Sequence, residues 1–145
     1  MKKFILICLS IVALNVNAQL VVREAAKDTI IWQSSKFLIL PKIVKFYSDG
    51  MESSYTIYYK NAKYTQITDI DYITTGDLET TKQFYELCKS VIKEDKEYNL
   101  EINNKSVSVQ KGTLGYGSRT VMIWTDGSYF YLSDKYLTEI LEKLK

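Results

Sequence analysis

Histidine is absent from all 145 residues of the sequence, and proline occurs only once, at position 41. Without histidine, the chain lacks the side chain that most often acts as a general base at neutral pH, and also the commonest zinc ligand. A catalytic pair built on histidine is therefore excluded. We expect no metal site, no cofactor and no conventional set of catalytic residues.

Cysteine is almost as scarce, with one residue at position 8 and one at position 88. Cys8 lies in an N-terminal segment that we expect to be removed, so Cys88 has no partner for an internal disulfide. Its spacing places Cys88 on the apolar stripe of a predicted helix. A buried free cysteine behaves as a small hydrophobic residue, and we expect Cys88 to be chemically inert.

The first eighteen residues, MKKFILICLSIVALNVNA, have the layout of a secretory signal peptide. Two lysines precede an apolar run that is too short to span a bilayer, and small residues stand before Gln19. We expect residues 1–18 to be the signal peptide and residues 19–145 to form a single exported domain. The mature protein is then secreted or periplasmic, with no stable membrane span.

Neither sign of charge dominates the predicted mature chain. Because Lys2 and Lys3 belong to the signal peptide, 17 basic residues remain against 17 acidic ones. A neutral chain without a basic stripe is not attracted to phosphate backbones. We therefore expect no nucleic-acid partner.

Two Asp-Gly pairs, at 49–50 and 126–127, each lie between two β-rich segments. Asp-Gly favours the tight turn of a hairpin, because the central residues of that turn need positive φ angles. A two-residue loop in the first hairpin pairs Phe46 with Ser53. One core face then collects Leu38, Leu40, Val44, Phe46, Tyr55, Ile57 and Tyr59.

The second Asp-Gly hairpin pairs Trp124 with Tyr129 and Met122 with Tyr131 on one face. The opposite face is the predicted core side and holds Val121, Ile123, Phe130 and Leu132. The aromatic face suits contact with a protein or a glycan, because large rings add contact area at low entropy cost. The alternative is that these rings only stabilise the sheet, since tyrosine is a good strand former.

Two segments have the apolar spacing of amphipathic helices, one after Asp77 and one after Ser133, and both of these residues are suitable N-caps. The other β-rich segments, including residues 29–33, are predicted to be strands. The fold class is therefore α+β, with a mostly antiparallel sheet of about six to eight strands and two helices packed on one face. A helix follows each run of strands, which indicates a pseudo-repeat.

Asp69 and Asp71 are two residues apart on a predicted strand, so their carboxylates project from the same face. Paired carboxylates can serve acid–base hydrolysis or bind calcium through oxygen ligands. No calcium-loop motif accompanies them. The pair is more typical of a solvated strand end that precedes the N-terminus of a helix.

The segment KGTLGYGSR, residues 111–119, contains three of the six glycines. Glycine loops that hold phosphate lead into a helix, whereas this loop leads into the strand pattern of residues 119–124. It is therefore predicted to be a strand connection or a partner-binding loop, with Tyr116 at its tip and Arg119 at its base.

These observations favour an exported, non-enzymatic domain that binds a protein or a glycan of a bacterial envelope. The contact residues would be Tyr116, Arg119, Trp124, Tyr129 and Tyr131. Two alternatives remain at this stage. One is a carboxylate-dependent hydrolase that uses Asp69 and Asp71, and the other is a structural subunit of an envelope assembly.

Overall fold

The structure is a computed structural model that describes residues 28–34, 41–46, 53–64, 66, 69–112 and 119–145. This part of the chain contains eight strands and two helices. The strands are β1 (Thr29–Gln33), β2 (Lys42–Phe46), β3 (Ser54–Lys60), β4 (Ile70–Gly76), β5 (Tyr98–Ile102), β6 (Lys105–Lys111), β7 (Thr120–Trp124) and β8 (Tyr129–Ser133). The helices are α1 (Leu78–Glu94) and α2 (Asp134–Lys143). The predicted α+β class is confirmed.

The strands form two antiparallel sheets of four, with the orders β1-β2-β3-β4 and β5-β6-β7-β8. The sequence predicted a single sheet of about six to eight strands, and the structure divides the eight described strands equally between two sheets. Each sheet is a meander followed by one helix. The element order therefore repeats in the two halves of the chain, as the pseudo-repeat predicted.

Both helices begin at the predicted caps. The side chain of Asp77 accepts a hydrogen bond from the Thr80 amide at 2.7 Å, and that of Ser133 accepts one from the Tyr136 amide at 3.2 Å. These bonds satisfy amides that have no partner within the helix. Asp95 is the C-cap of α1: its amide donates to the Val91 carbonyl at 3.0 Å, and its left-handed backbone (φ 56°) then ends the helix.

One hydrophobic core unites both sheets and both helices. Helix α1 packs against β3 and β4 of the first sheet and against β6 and β7 of the second, while α2 packs against β1 and β8. Burying each large aliphatic side chain contributes about 1.5–3 kcal/mol. Fully buried members include Ile43, Ile57, Cys88, Val91, Val107, Ile123, Leu132, Leu137 and Ile140.

The register of the first hairpin differs from the prediction by one residue. Phe46 pairs with Ser54 and Val44 with Thr56, whereas a two-residue loop at Asp49-Gly50 would pair Phe46 with Ser53. A shift of one residue moves a side chain to the other face of the sheet. Phe46 and Val44 therefore lie on the face opposite Ile57, and their predicted place on the core face is wrong. Leu38, Leu40, Asp49 and Gly50 lie outside the described residues.

The second hairpin has the predicted register. Trp124 pairs with Tyr129, Met122 with Tyr131 and Ile123 with Phe130. The predicted core side is buried, with Val121, Ile123, Phe130 and Leu132 between 0% and 4% exposed. This hairpin places the candidate contact residues on the outer face of the second sheet.

Candidate functional site

Three aromatic rings lie together on the outer face of β7 and β8, and we refer to Trp124, Tyr129 and Tyr131 as the aromatic surface. The ring centroids of Trp124 and Tyr129 are 4.4 Å apart, and those of Tyr129 and Tyr131 are 5.8 Å apart in an edge-on arrangement. Trp124 is 37% exposed, and both tyrosines are half-buried. The aromatic surface thus combines accessible ring area with fixed ring positions.

The hairpin beneath the aromatic surface is firmly held. The Thr125 amide donates to the Ser128 carbonyl at 2.8 Å, and Gly127 has a φ of 92°, which favours glycine. On the reverse side, Ile123 and Phe130 are buried in the core. A surface whose backbone is fixed in advance loses little conformational entropy when it binds.

No known protein family, characterised protein or solved structure matches this chain. Its function therefore has to be inferred from the geometry of its own residues.

Arg119 lies at a distance from Trp124, at the other end of β7. Arg119 is exposed, and its carbonyl accepts a hydrogen bond from the Asp134 amide at the start of α2. Arg119 immediately precedes β7 and Trp124 is its last residue, so at the rise of a strand their backbones are about 16 Å apart. The structure therefore brings Trp124, Tyr129 and Tyr131 together and leaves Arg119 apart. Tyr116 lies outside the described residues.

Gly112, at the start of the same loop, has a structural role. Its amide donates to the Thr120 carbonyl at 2.8 Å and thereby continues the pairing of β6 with β7. A Cβ at this position would overlap the hydroxyl of Thr120 and press on its carbonyl. Glycine at this position therefore leaves room for the side chain of Thr120 on the neighbouring strand.

Asp69 and Asp71 are both engaged in hydrogen bonds within the fold. Asp69 accepts from the side-chain amide of Asn61 at 2.9 Å. Asp71 accepts from the Ser128 hydroxyl at 2.6 Å and from the Tyr72 amide at 2.7 Å. Burial raises the pKa of Asp71, but these hydrogen bonds outweigh it, and the pKa lies below its ordinary value. A general acid needs a raised pKa, so this environment favours the ionised, structural form of Asp71.

Asp71 belongs to a network of buried hydroxyl groups that connects the two sheets. The Tyr59 hydroxyl lies 2.9 Å from the Thr125 hydroxyl and 2.8 Å from the Ser128 hydroxyl. Ser128 donates its only proton to Asp71, so the Ser128 oxygen accepts from Tyr59 or Thr125. Burial raises the pKa of Tyr59. Within the described residues, every fully buried side-chain nitrogen or oxygen has a hydrogen-bond partner. The hydrogen bonds of this network therefore have a structural role.

Cys88 is fully buried on α1, as its position on the helix predicted. Burial raises the pKa of its thiol well above the ordinary range. The thiolate, which is the reactive form, is therefore not populated at neutral pH. The described part of the chain contains no group of three or more acidic or cysteine side chains that could hold a metal ion.

A second aromatic row, which the sequence patterns did not predict, lies on the outer face of the first sheet. It consists of Phe46, Tyr58 and Tyr72, with ring centroids 6.4 Å and 6.0 Å apart along the row. The ammonium group of Lys105 lies 4.3 Å from the centre of the Tyr72 ring. The row was missed because the predicted register placed Phe46 on the core face. Only the correct pairing of β2 with β3 reveals it.

Membrane crossing by a helix finds no support in the described residues, since neither α1 nor α2 is both long and apolar enough.

Proposed function

We propose that this protein is an exported, non-enzymatic binding domain of a bacterial envelope, which contacts a protein or a glycan through the aromatic surface. The observation that carries the proposal is the cluster of Trp124, Tyr129 and Tyr131 on the outer face of a hairpin whose other face is buried. Tryptophan and tyrosine dominate binding hot spots because they bury large areas with few rotatable bonds.

The chemistry of the remaining residues supports a binding role over catalysis. The sequence contains no histidine, the thiol of Cys88 is buried, and Asp71 is held ionised by neighbouring donors. The charge balance of residues 19–145 also fits a partner that is recognised by ring contact and hydrogen bonds. Binding of such a partner does not require long-range electrostatic attraction.

The aromatic surface is tested by replacing Trp124 or Tyr129 with alanine, with Tyr72→Ala as the matched control. Tyr72 is also an exposed aromatic residue on an outer sheet face, at 49% exposure, but it belongs to the first sheet. Labelled wild-type and variant proteins are compared on an array of bacterial cell-wall and capsular glycans. Their contacts with envelope proteins are compared by photo-crosslinking from position 110, which pairs with Met122 on the same face.

We expect Trp124→Ala and Tyr129→Ala to weaken the glycan or the protein contact by about tenfold or more, and Tyr72→Ala to leave it unchanged. Weaker binding on the glycan array would identify the partner as a glycan, and weaker photo-crosslinking would identify it as a protein. Unchanged contacts in both arms for both aromatic variants would refute the proposal. Arg119→Ala is included separately, because its distance from Trp124 predicts that it acts independently of the aromatic surface.

Export is tested independently of binding. Residues 1–27 lie outside the described residues, so the signal peptide remains a prediction from the sequence. Expression in a Gram-negative host should place the protein in the periplasm or the medium, with Gln19 as its first residue by N-terminal sequencing. A cytoplasmic protein that retains Met1 would contradict this part of the proposal.

A further inference from the structure

The aromatic surface is bordered by polar side chains on the outer face of the second sheet. Val107 and Val109 of β6 are fully buried, so the residues that alternate with them, Ser108 and Gln110, lie on the outer face. Ser108 pairs with Trp124, and paired residues have Cβ atoms about 5 Å apart. A hydroxyl group therefore lies beside the exposed indole ring, and a side-chain amide lies two residues further along β6.

A carboxylate lies near the same ring. Glu97, which directly precedes β5, accepts a hydrogen bond from the Ser108 hydroxyl at 3.0 Å, and this bond holds the carboxylate on the outer face. Glu97 is exposed and forms no ion pair with a described lysine or arginine. A carboxylate has about four acceptor sites, and Ser108 uses one of them, so Glu97 can accept hydrogen bonds from a ligand.

A polar pocket of about 220 Å³ lies where β5 begins and β6 ends. Five residues line it: Asp95, Lys96, Glu97, Gln110 and Lys111. Lys111 pairs with Asp95 at 3.2 Å, and Lys96 pairs with Glu94 at 2.9 Å, so both ammonium groups of the pocket already have a carboxylate partner. The side-chain amide of Gln110 has no hydrogen bond to another described residue. Glu97 and Gln110 are therefore the lining residues that offer unused hydrogen-bonding groups.

These groups fit a sugar chain better than a protein. Of the three rings of the aromatic surface, only that of Trp124 is more than one-third exposed. The apolar area is therefore small beside the roughly 800 Å² that each partner buries in a stable protein interface. A pyranose ring has C–H groups on its face, which stack on the electron-rich face of an indole. The hydroxyl groups around its edge form hydrogen bonds with amides and carboxylates.

The charge of this surface selects among sugars. No lysine or arginine occupies an outer-face position of β5 to β8, all four of which the structure describes in full. Glu97 is joined there by Glu101, an exposed residue of β5 that pairs with Ser106. Two carboxylates repel uronic acids and phosphate groups, because like charges brought together cost free energy. Neutral sugar hydroxyls, in contrast, donate charge-assisted hydrogen bonds to a carboxylate.

We propose that the ligand of this site is a neutral glycan chain, which stacks one sugar ring on Trp124 and places a neighbouring sugar in the polar pocket. In the pocket, sugar hydroxyl groups donate to the Glu97 carboxylate, and the Gln110 amide donates to a sugar oxygen. The inference rests on the proposed function, because it names the partner class of the same aromatic surface. It also assigns a binding role to two residues outside the three rings.

The probes are fluorescein-labelled hexasaccharides with matched linkages. The neutral set contains oligomers of glucose, mannose, galactose and N-acetylglucosamine, and the acidic set contains oligomers of glucuronate, mannuronate and galacturonate. Each uronate differs from its neutral hexose only in having a carboxylate in place of the hydroxymethyl group. Fluorescence anisotropy measures binding to the purified protein. We expect at least one neutral hexasaccharide to bind about tenfold or more tightly than any of the uronates.

Protein variants identify the groups that contact the sugar. Trp124→Ala should abolish binding of the neutral hexasaccharide, whereas Glu97→Gln and Gln110→Ala should each weaken it about threefold or more, because each removes a hydrogen bond to the ligand. Glu97→Gln should also reduce the preference over uronates, because it removes a negative charge. Glu86→Gln, at an exposed glutamate of α1, is the matched control and should change neither property. Circular dichroism spectra establish that each variant is folded.

Equal or tighter binding of a uronate would overturn the proposal, and so would neutral binding that neither Glu97→Gln nor Gln110→Ala weakens. If no neutral hexasaccharide binds while Trp124→Ala still weakens a photo-crosslink to a protein, the aromatic surface binds a protein, and only the glycan assignment fails. If Trp124→Ala changes neither glycan binding nor the photo-crosslink, the proposed function fails as well.

Discussion

The ring of Tyr59 on β3 stacks on the ring of Phe130 on β8, with centroids 4.0 Å apart and planes inclined by 18°. This contact joins the two sheets at the centre of the molecule. The hydroxyl of Tyr59 continues it into the polar network of Thr125, Ser128 and Asp71. One residue therefore contributes to the apolar and to the polar part of the same junction.

The two contributions of Tyr59 are separable by mutation. Tyr59→Phe keeps the ring stack and removes the hydrogen bonds, so we expect a loss of about 1 kcal/mol in the free energy of unfolding. Tyr59→Ala also removes the ring and leaves a cavity, so we expect a loss of about 3–5 kcal/mol. Urea unfolding, followed by circular dichroism, measures both. Equal losses for the two variants would contradict the role assigned to the stack.

The Asp71 carboxylate should make the stability of the protein depend on pH. Its pKa in the folded state lies below the ordinary value of 3.8, so the ionised form stabilises the fold. This stabilisation is fully present above the pKa of the unfolded chain and is lost as the pH falls through the folded pKa. Asp71→Asn should therefore destabilise the protein at pH 7, and the difference from wild type should shrink below about pH 4.

Asp126→Asn is the control for this experiment, because Asp126 is exposed in the turn of the same hairpin. Its effect on the free energy of unfolding should be small at every pH. A difference between wild type and Asp71→Asn that stays constant from pH 7 to pH 3 would argue against the ionised Asp71 as the stabilising form.

Cys88 should react with a thiol reagent only when the protein unfolds. In a Cys8→Ser background, Cys88 is the sole thiol of the chain, and it is fully buried. Ellman's reagent at pH 8 should label it slowly in buffer and completely in a denaturing concentration of urea, because reaction requires an exposed thiolate. Rapid labelling of the folded protein would show that the helix α1 opens locally.

Gly112→Ala should destabilise the protein by about 1–3 kcal/mol, because the new methyl group overlaps Thr120 on the neighbouring strand. Adding Thr120→Ala removes the hydroxyl that is overlapped and should recover part of this loss. Gly127→Ala serves as the comparison. A Cβ at Gly127 would contact no other atom, so the loss of stability would come only from the positive φ angle of this residue. Thr120→Ala should not restore the stability that Gly127→Ala removes. Thermal unfolding of the single and double variants measures each loss of stability.

The two hairpins differ in whether the sequence pattern predicts the register of their strands. Val121, Ile123, Phe130 and Leu132 alternate with less apolar neighbours, so only the register across Asp126-Gly127 buries all four. In the first hairpin each face combines apolar or aromatic residues with a lysine, so the pattern of side chains does not select one register. The register predicted for this hairpin therefore depended on the turn residues. The observed pairing of Phe46 with Ser54 is not the pairing that a two-residue loop would give.

The spatial grouping of the candidate contact residues follows in part from the sequence. The grouping of Trp124, Tyr129 and Tyr131 follows from a local pairing of adjacent strands, and the structure places them together. The separation of Arg119 from Trp124 also follows from strand length, although the two residues were expected to belong to one contact surface. The second aromatic row forms only with the observed register of β2 and β3, and local sequence patterns do not predict that register.

Features that arise from short-range chemistry could be predicted from local patterns along the chain. These are the α+β class, both helices with their caps at Asp77 and Ser133, the buried state of Cys88 and the register of the second hairpin. Each depends on residues within a few positions of one another, where periodicity and turn geometry act directly. Tertiary packing sets the division into two sheets, the stack of Tyr59 on Phe130 and the bond of Ser128 to Asp71. These contacts join residues far apart in the chain, and packing of the whole core selects them.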